Sequence, residues 1–362
     1  MAGLALALSV LSAATQAQVA PVTARDLAPG VSYRRLADAS GPWVMHVVEM
    51  DLGRARVDVR AVRATGALRG RERTTGMVRR ATAAGDTVLV AVNGDFFDLR
   101  TGENENNQVI DGVWWKGLKV TESPYDTFDN MHVQFGLTAQ RQPAIERFIL
   151  DGRAYIRGAS IPILTVNANP TGNPEGTALY TSLYGIAAPR DSARASAEVA
   201  LLAAGHRGDT LLYVTRGAPV ATSGSAIPGG GAVLAAYGTR TKELQPLVDG
   251  DTVRVLLTTA PRLPGGKSPQ TLIGGWPRII RDGVNVAGEA ATIEGTISRN
   301  AEARHPRTAV GYSRDGRKLW LVAVDGRATN SVGMTLVELA DAMRKLGVWQ
   351  AMNFDGGGST TM

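Results

Sequence analysis

The chain has 362 residues, 44% of them hydrophobic and 20% charged, with 42 glycines, a formal net charge of +6 and no cysteine. That length suits one large domain or two ordinary ones. The missing cysteine excludes disulfides, thiolate catalysis and cysteine-based zinc sites. The positive charge permits an anionic partner. The basic residues are scattered, however, and the densest cluster, Arg69 to Arg80, is broken by Gly and Thr without interleaved aromatics. Nucleic acid is therefore not expected as a partner.

Residues 1–20, MAGLALALSVLSAATQAQVA, form an apolar stretch followed by small residues, with Thr15-Gln16-Ala17 as a small-x-small cleavage site. This reads as a signal-peptide-like segment without a basic start. It is short for a membrane span, so no stable membrane insertion is expected. The expected location is secreted or periplasmic, as for an exported bacterial protein. Residues 21–42 read as a leader, and one large domain is expected over 43–362.

Short apolar runs separated by Gly, Asp and Pro turns follow. VDVRAV (57–62) alternates at period two, and TVLVAV (87–92) is a continuous apolar run suited to a buried strand. TLLYVT (210–215), TVRVLLTT (252–259) and KLWLVAV (318–324) are further strands, each after a turn. In NNQVIDGVWWKG (106–117), adjacent strand positions face opposite ways, so at most one of Trp114 and Trp115 can platform a sugar ring. Residues 74–84 form a weaker helix. The best helix is TLVELADAMRKLG: Thr335 and Glu338 make a capping box, and Leu336, Leu339, Ala340, Met343 and Leu346 form one stripe. The expected class is mixed α/β: a many-stranded mixed sheet, flanking helices and a C-terminal β-α-β unit.

Three apolar runs end alike, in LVAVNGD (89–95), LVAVDGR (321–327) and AMNFDGG (351–357). Taken singly, each Asn-Gly or Asp-Gly is a turn. A helical crossover between strands 318–324 and 349–354 makes them parallel, which carries Asp325 and Asp355 to one rim. If 87–92 joins the same sheet in parallel, Asn93 and Asp95 arrive there too. Gly356, Gly357 and Gly358 leave bare backbone beside Asp355, where N–H groups can cradle an anion, and Ser359 adds a hydroxyl. Upstream, Arg307 offers forked donors, Thr308 a hydroxyl, and His305 titrates near neutrality. PGGKS (264–268) lacks the first glycine of a phosphate-binding loop, and no HExxH, GxGxxG or GxSxG occurs.

VAVNGDFF (90–97), RHPRTAVGYSRDGRKLWLVAVDGR (304–327), SVGMTLVELADAMRKLG (331–347) and AMNFDGGGSTTM (351–362) together resemble the phosphodiester glycosidase family. The resemblance spans roughly residues 43–362. It implies a mixed α/β domain with a polar cleft, and hydrolysis of a sugar-1-phosphodiester. The natural substrate would be a cell-wall or exopolysaccharide phosphodiester. Carried over by motif, the functional positions are Asn93, Gly94, Asp95, Arg307, Thr308, Asp325, Gly326, Ser331 and Asp355 through Ser359. Of these, Asp355, Asp325 and Arg307, with His305 as a reserve proton carrier, would do the chemistry, and the others would bind substrate. The family pattern runs on past this segment, so a further strand beyond Met362 is expected. The resemblance requires no cofactor. Asp325, Asp355 and Asp95 on one rim would also suit Ca²⁺ or Mg²⁺. Two other functions fit the same residues: a non-catalytic glycan-binding module, and a phosphodiesterase that cleaves P–O.

Overall fold

A computed structural model describes residues 21–119, 121–122, 129–130, 132–170, 175–294 and 302–362. The signal-like segment 1–20 lies outside the described residues. Most of the structure is sheet. An eight-stranded sheet and a thirteen-stranded sheet account for nearly every strand.

The eight-stranded sheet positions the site. Its spatial order is Pro21–Ala28, Val31–Asp38, Trp43–Asp51, Lys318–Val324, Arg307–Tyr312, Gln350–Asn353, Arg278–Arg281 and Val284–Asn285. Every neighbouring pair is antiparallel. Residues 21–38 of the segment read as a leader therefore supply two ladder strands at one edge.

Alternation along these strands builds a layer on each face. Met45, Val47, Trp320 and Val322 point to one side and pack against Leu336, Leu339, Ala340 and Met343 of the helix Leu336–Lys345. The capping box is in place: the Thr335 hydroxyl accepts from Glu338 N, and Glu338 accepts from Thr335 N. Val48, Met50, Leu319 and Val310 point to the other side and meet Val133, Phe135, Leu137 and Ile145 from the thirteen-stranded sheet. That sheet has a separate core around Trp114, Leu150, Leu179 and Leu234. Trp114 is buried there, while Trp115 is partly exposed and carries the Arg63 guanidinium at 5.8 Å.

The C-terminal β-α-β unit is present in a split form. Strands Lys318–Val324 and Gln350–Asn353 run parallel, but Arg307–Tyr312 lies between them, antiparallel to both. Two expected strands do not form. Residues 57–62 and 87–92 make no ladder bonds, although Val57, Val59 and Val90 pack on the inter-sheet core. Both neighbours of Lys318–Val324 are already taken, by Trp43–Asp51 and Arg307–Tyr312, so neither run pairs with that strand. They instead line a cavity of about 1250 Å³ whose walls include Asp95 and Asp355.

Candidate active site

The split unit determines which residues meet. Lys318–Val324 and Gln350–Asn353 both end at one rim, and the strand between them begins there, with Arg307 opposite Val324 and Ala309 opposite Asn353. Asp325, Arg307, Thr308 and Asp355 thus share that rim. The loop at 93–95 reaches it by side-chain and loop bonds rather than as a strand. Asp355 N donates to Gly94 O at 3.0 Å, and Asn93 Nδ2 donates to Asp355 O at 2.7 Å. Asn93 Oδ1 accepts from the Thr308 hydroxyl at 2.6 Å and from Thr361 N at 3.1 Å. Asn93 and Thr308 therefore tie three loops together, and their polar atoms are committed to that task.

Two carboxyls at the site are pushed up. Burial raises Asp95, which is enclosed by three donors: Asn104 Nδ2 at 3.0 Å, Asn106 N at 3.1 Å and Asn106 Nδ2 at 2.7 Å. Burial also raises Asp355. The Ser359 hydroxyl and Gly356 N, the latter at 2.8 Å, pull it back, and the nearby charge of Asp95 pushes it further up. Two interacting carboxyls lining one cavity, each with a raised pKa, are a common arrangement for acid–base work.

Asp325 sits differently, with its side chain 52% exposed. His46 Nε2 lies 3.2 Å from Asp325 Oδ2, and His46 Nδ1 lies 2.8 Å from the Tyr33 hydroxyl. A carboxylate only accepts, so Nε2 donates in this contact, and Nδ1 bonds the Tyr33 hydroxyl. The turn behind is pinned by Ser331: its hydroxyl donates to Asp325 O at 2.7 Å and accepts from Val44 N at 2.9 Å. Ser331 is thus a support for the Asp325 turn. His46 is a site residue that sequence reasoning missed, because it looks like one more position on an alternating strand. Asp325, Asp355 and Asp95 do not come together as a cation site. Among the described residues no group of three or more His, Asp or Glu side chains could hold a metal ion.

Arg307 is only 6% exposed. Its Nε donates to Met334 O at 2.9 Å and its Nη2 to Ala303 O at 2.8 Å. Burial draws it down to about 10, so it stays charged at neutral pH. Its donors hold backbone carbonyls and do not point freely into the cleft. Both ring nitrogens of His305 are shielded from solvent without a hydrogen-bond partner. Burial, then Arg307 and Arg327, lower its pKa, which keeps the ring neutral.

The glycine loop is also largely committed. Gly356 N donates to Asp355 Oδ1, Gly357 N to Pro306 O at 2.9 Å, and Ser359 N to Gly356 O at 3.1 Å. Gly358 N alone among residues 356–359 has no acceptor. The Ser359 hydroxyl bonds the Asp355 carboxyl, so the expected four-donor anion cradle is reduced to one free N–H. Gly326 has a packing role: a Cβ there would lie 2.6 Å from Pro306 N. Gly326→Ala is expected to cost roughly 1–3 kcal/mol by overpacking, read as a lower midpoint in urea. An unchanged midpoint would show that the two turns are not in contact.

This is a layered, mixed α/β frame with a half-buried pair of interacting carboxyls on a cavity wall and a third, exposed carboxylate at one rim. Residues 204–362 match the model of the phosphodiester glycosidase family. The chain is 37% identical over 97 residues to mouse N-acetylglucosamine-1-phosphodiester alpha-N-acetylglucosaminidase, covering 25% of this chain and 18% of that protein. Against the bovine protein of that name it is 32% identical over 145 residues, 38% of this chain and 27% of the other. The matches thus span little more than a quarter of these relatives at most. A solved structure of a hypothetical protein from Synechocystis shares the fold, with a TM-score of 0.65, 19% identity, and coverage of 92% of this chain and 57% of that one. The resemblance to the phosphodiester glycosidase family is thereby shown. The family model covers the Arg307, Asp325 and Asp355 loops, whereas Asn93 and Asp95 lie before it.

Proposed function

We propose that the chain is a hydrolase that cleaves the glycosidic bond of a sugar-1-phosphodiester. The single observation that carries this reading is Asp355, a half-buried carboxyl raised by burial and by Asp95, in the loop that closes the span matched by the family model.

Water attacks the anomeric carbon, the C1–O bond breaks, and the phosphomonoester leaves with the bonding electron pair. Such a leaving group is already a good one, so little protonation is required. Asp355 as carboxylate either takes the proton from water or attacks C1 itself, and the buried Asp95 raises its basicity. Asp325, held by His46, orients the substrate, with neutral His305 as a further proton carrier. A cell-wall or exopolysaccharide phosphodiester is the proposed natural substrate, met outside the cytoplasm. Among the described residues no helix is long and apolar enough to cross a membrane.

Hydrolysis in oxygen-18 water tests the reading. Label in the sugar is the expected result. Label in the phosphate would mean P–O cleavage and a phosphodiesterase. Saturable glycan binding without product would mean a binding module.

A further inference from the structure

A phosphodiester glycosidase must hold a phosphate, and the two groups expected to do so are committed elsewhere. The Arg307 guanidinium holds Met334 O and Ala303 O. The N–H groups of Gly356, Gly357 and Ser359 have acceptors within the protein. A cation with free donors must come from another residue.

Arg327 is such a residue. It stands two positions after Asp325, exposed, with φ +59°. A non-glycine residue in the left-handed region is uncommon and is maintained only where its surroundings hold it. Here reciprocal backbone bonds between Ala328 and Ser331 pin the turn that follows. The side chain returns over the glycine loop, and Nη2 lies 3.1 Å from where a Cβ on Gly357 would stand. With no Cβ on Gly357, the guanidinium can lie against bare backbone there. Among the described residues Arg327 makes no hydrogen bond or ion pair, in contrast to Arg307. Its charge acts on His305, whose ring nitrogens are also unpartnered. Open space lies beside Gly358, which carries the one free N–H of the loop.

We propose that Arg327, with Gly358 N–H, is the phosphate-binding group of this site. The inference rests on the glycosidase reading and supplies the residue that would select a phosphodiester over a neutral glycoside. A forked guanidinium can hold two phosphate oxygens at once and can stabilise the charge that grows on the departing one.

Calorimetric titration with inorganic phosphate tests it without requiring turnover. Wild-type protein should bind phosphate, and Arg327→Met should weaken binding by about tenfold to a hundredfold. Arg327→Lys should recover part of the loss, because the charge survives and the fork does not. Arg314→Met, in the turn at the opposite end of strand Arg307–Tyr312, is the control and should bind as wild type. Equal affinity in wild type and Arg327→Met, or no phosphate binding by wild type, would overturn the proposal. Lost phosphate binding in Arg327→Met beside a wild type that turns over no phosphodiester would leave the anion site standing and remove the glycosidase reading alone.

Discussion

Replacing Asp355 by Asn is expected to lower kcat for a sugar-1-phosphodiester by about 10²–10⁴-fold, with the fold intact. The amide keeps the shape of the side chain and its bond to the Ser359 hydroxyl, and loses only the basic oxygen. The pH dependence carries a second test. The active form is the carboxylate, so turnover should rise with pH through an ionisation above the usual aspartate range, because burial and Asp95 both raise Asp355. Asp95→Asn removes the like charge and should move that acid limb to lower pH. Stability should respond in the opposite sense. A carboxyl whose folded pKa is raised gives up stability as pH rises through that pKa, since the fold disfavours the charged form. Asp355→Asn should therefore unfold at a temperature equal to or higher than wild type at neutral pH, and the gain should vanish below the unfolded pKa. Wild-type turnover in Asp355→Asn would end the assignment.

How far the site could be read from sequence depended on the range of the pattern involved. Helix Leu336–Lys345 and strand Lys318–Val324 follow from local periodicity and capping, and both appear where expected. The shared rim of Asp325 and Asp355 follows from the handed return of a helical crossover, and it is there as well. The insertion of Arg307–Tyr312 between the two strands was not legible, because an apolar alternation does not state its pairing partner. That same insertion brings Arg307 and Thr308 to the rim. Residues 87–92 have the β-branched composition of a buried strand, but both places beside Lys318–Val324 are taken by other strands, and composition does not state that. Asn93 and Asp95 reach the rim regardless, because bonds among Asn93, Thr308, Gly94 and Asp355 hold the loop there. His46 and Arg327 carry no local signal: one looks like a sheet position, the other like the end of an Asp-Gly turn. Only tertiary contacts separate them from their neighbours. The motif residues Asn93, Thr308, Gly326 and Ser331 are chiefly the fastenings that bring several loops to one place.

Arg307 gives the sharpest contrast between a motif residue that binds substrate and one that holds the frame. Arg307→Met is expected to destabilise the protein by roughly 3 kcal/mol. Met is long enough to refill most of the space, so the loss comes mainly from the charge-assisted bonds to Met334 O and Ala303 O; Met334 O keeps the His305 N–H, while Ala303 O loses its Arg307 donor. Met334 also pairs with His305 through backbone bonds in both directions, so the loss should spread to the His305 loop. Urea titration would show a lower midpoint. At a temperature where the variant is still folded, its affinity for inorganic phosphate should stay within about threefold of wild type, well short of the tenfold loss expected when one charge-assisted contact is removed. The reverse result, full stability with phosphate affinity lost, would make Arg307 the anion ligand and Arg327 a bystander. Comparing the two arginines in this way separates frame from ligand, because one is buried against carbonyl oxygens and the other lies exposed over the glycine loop.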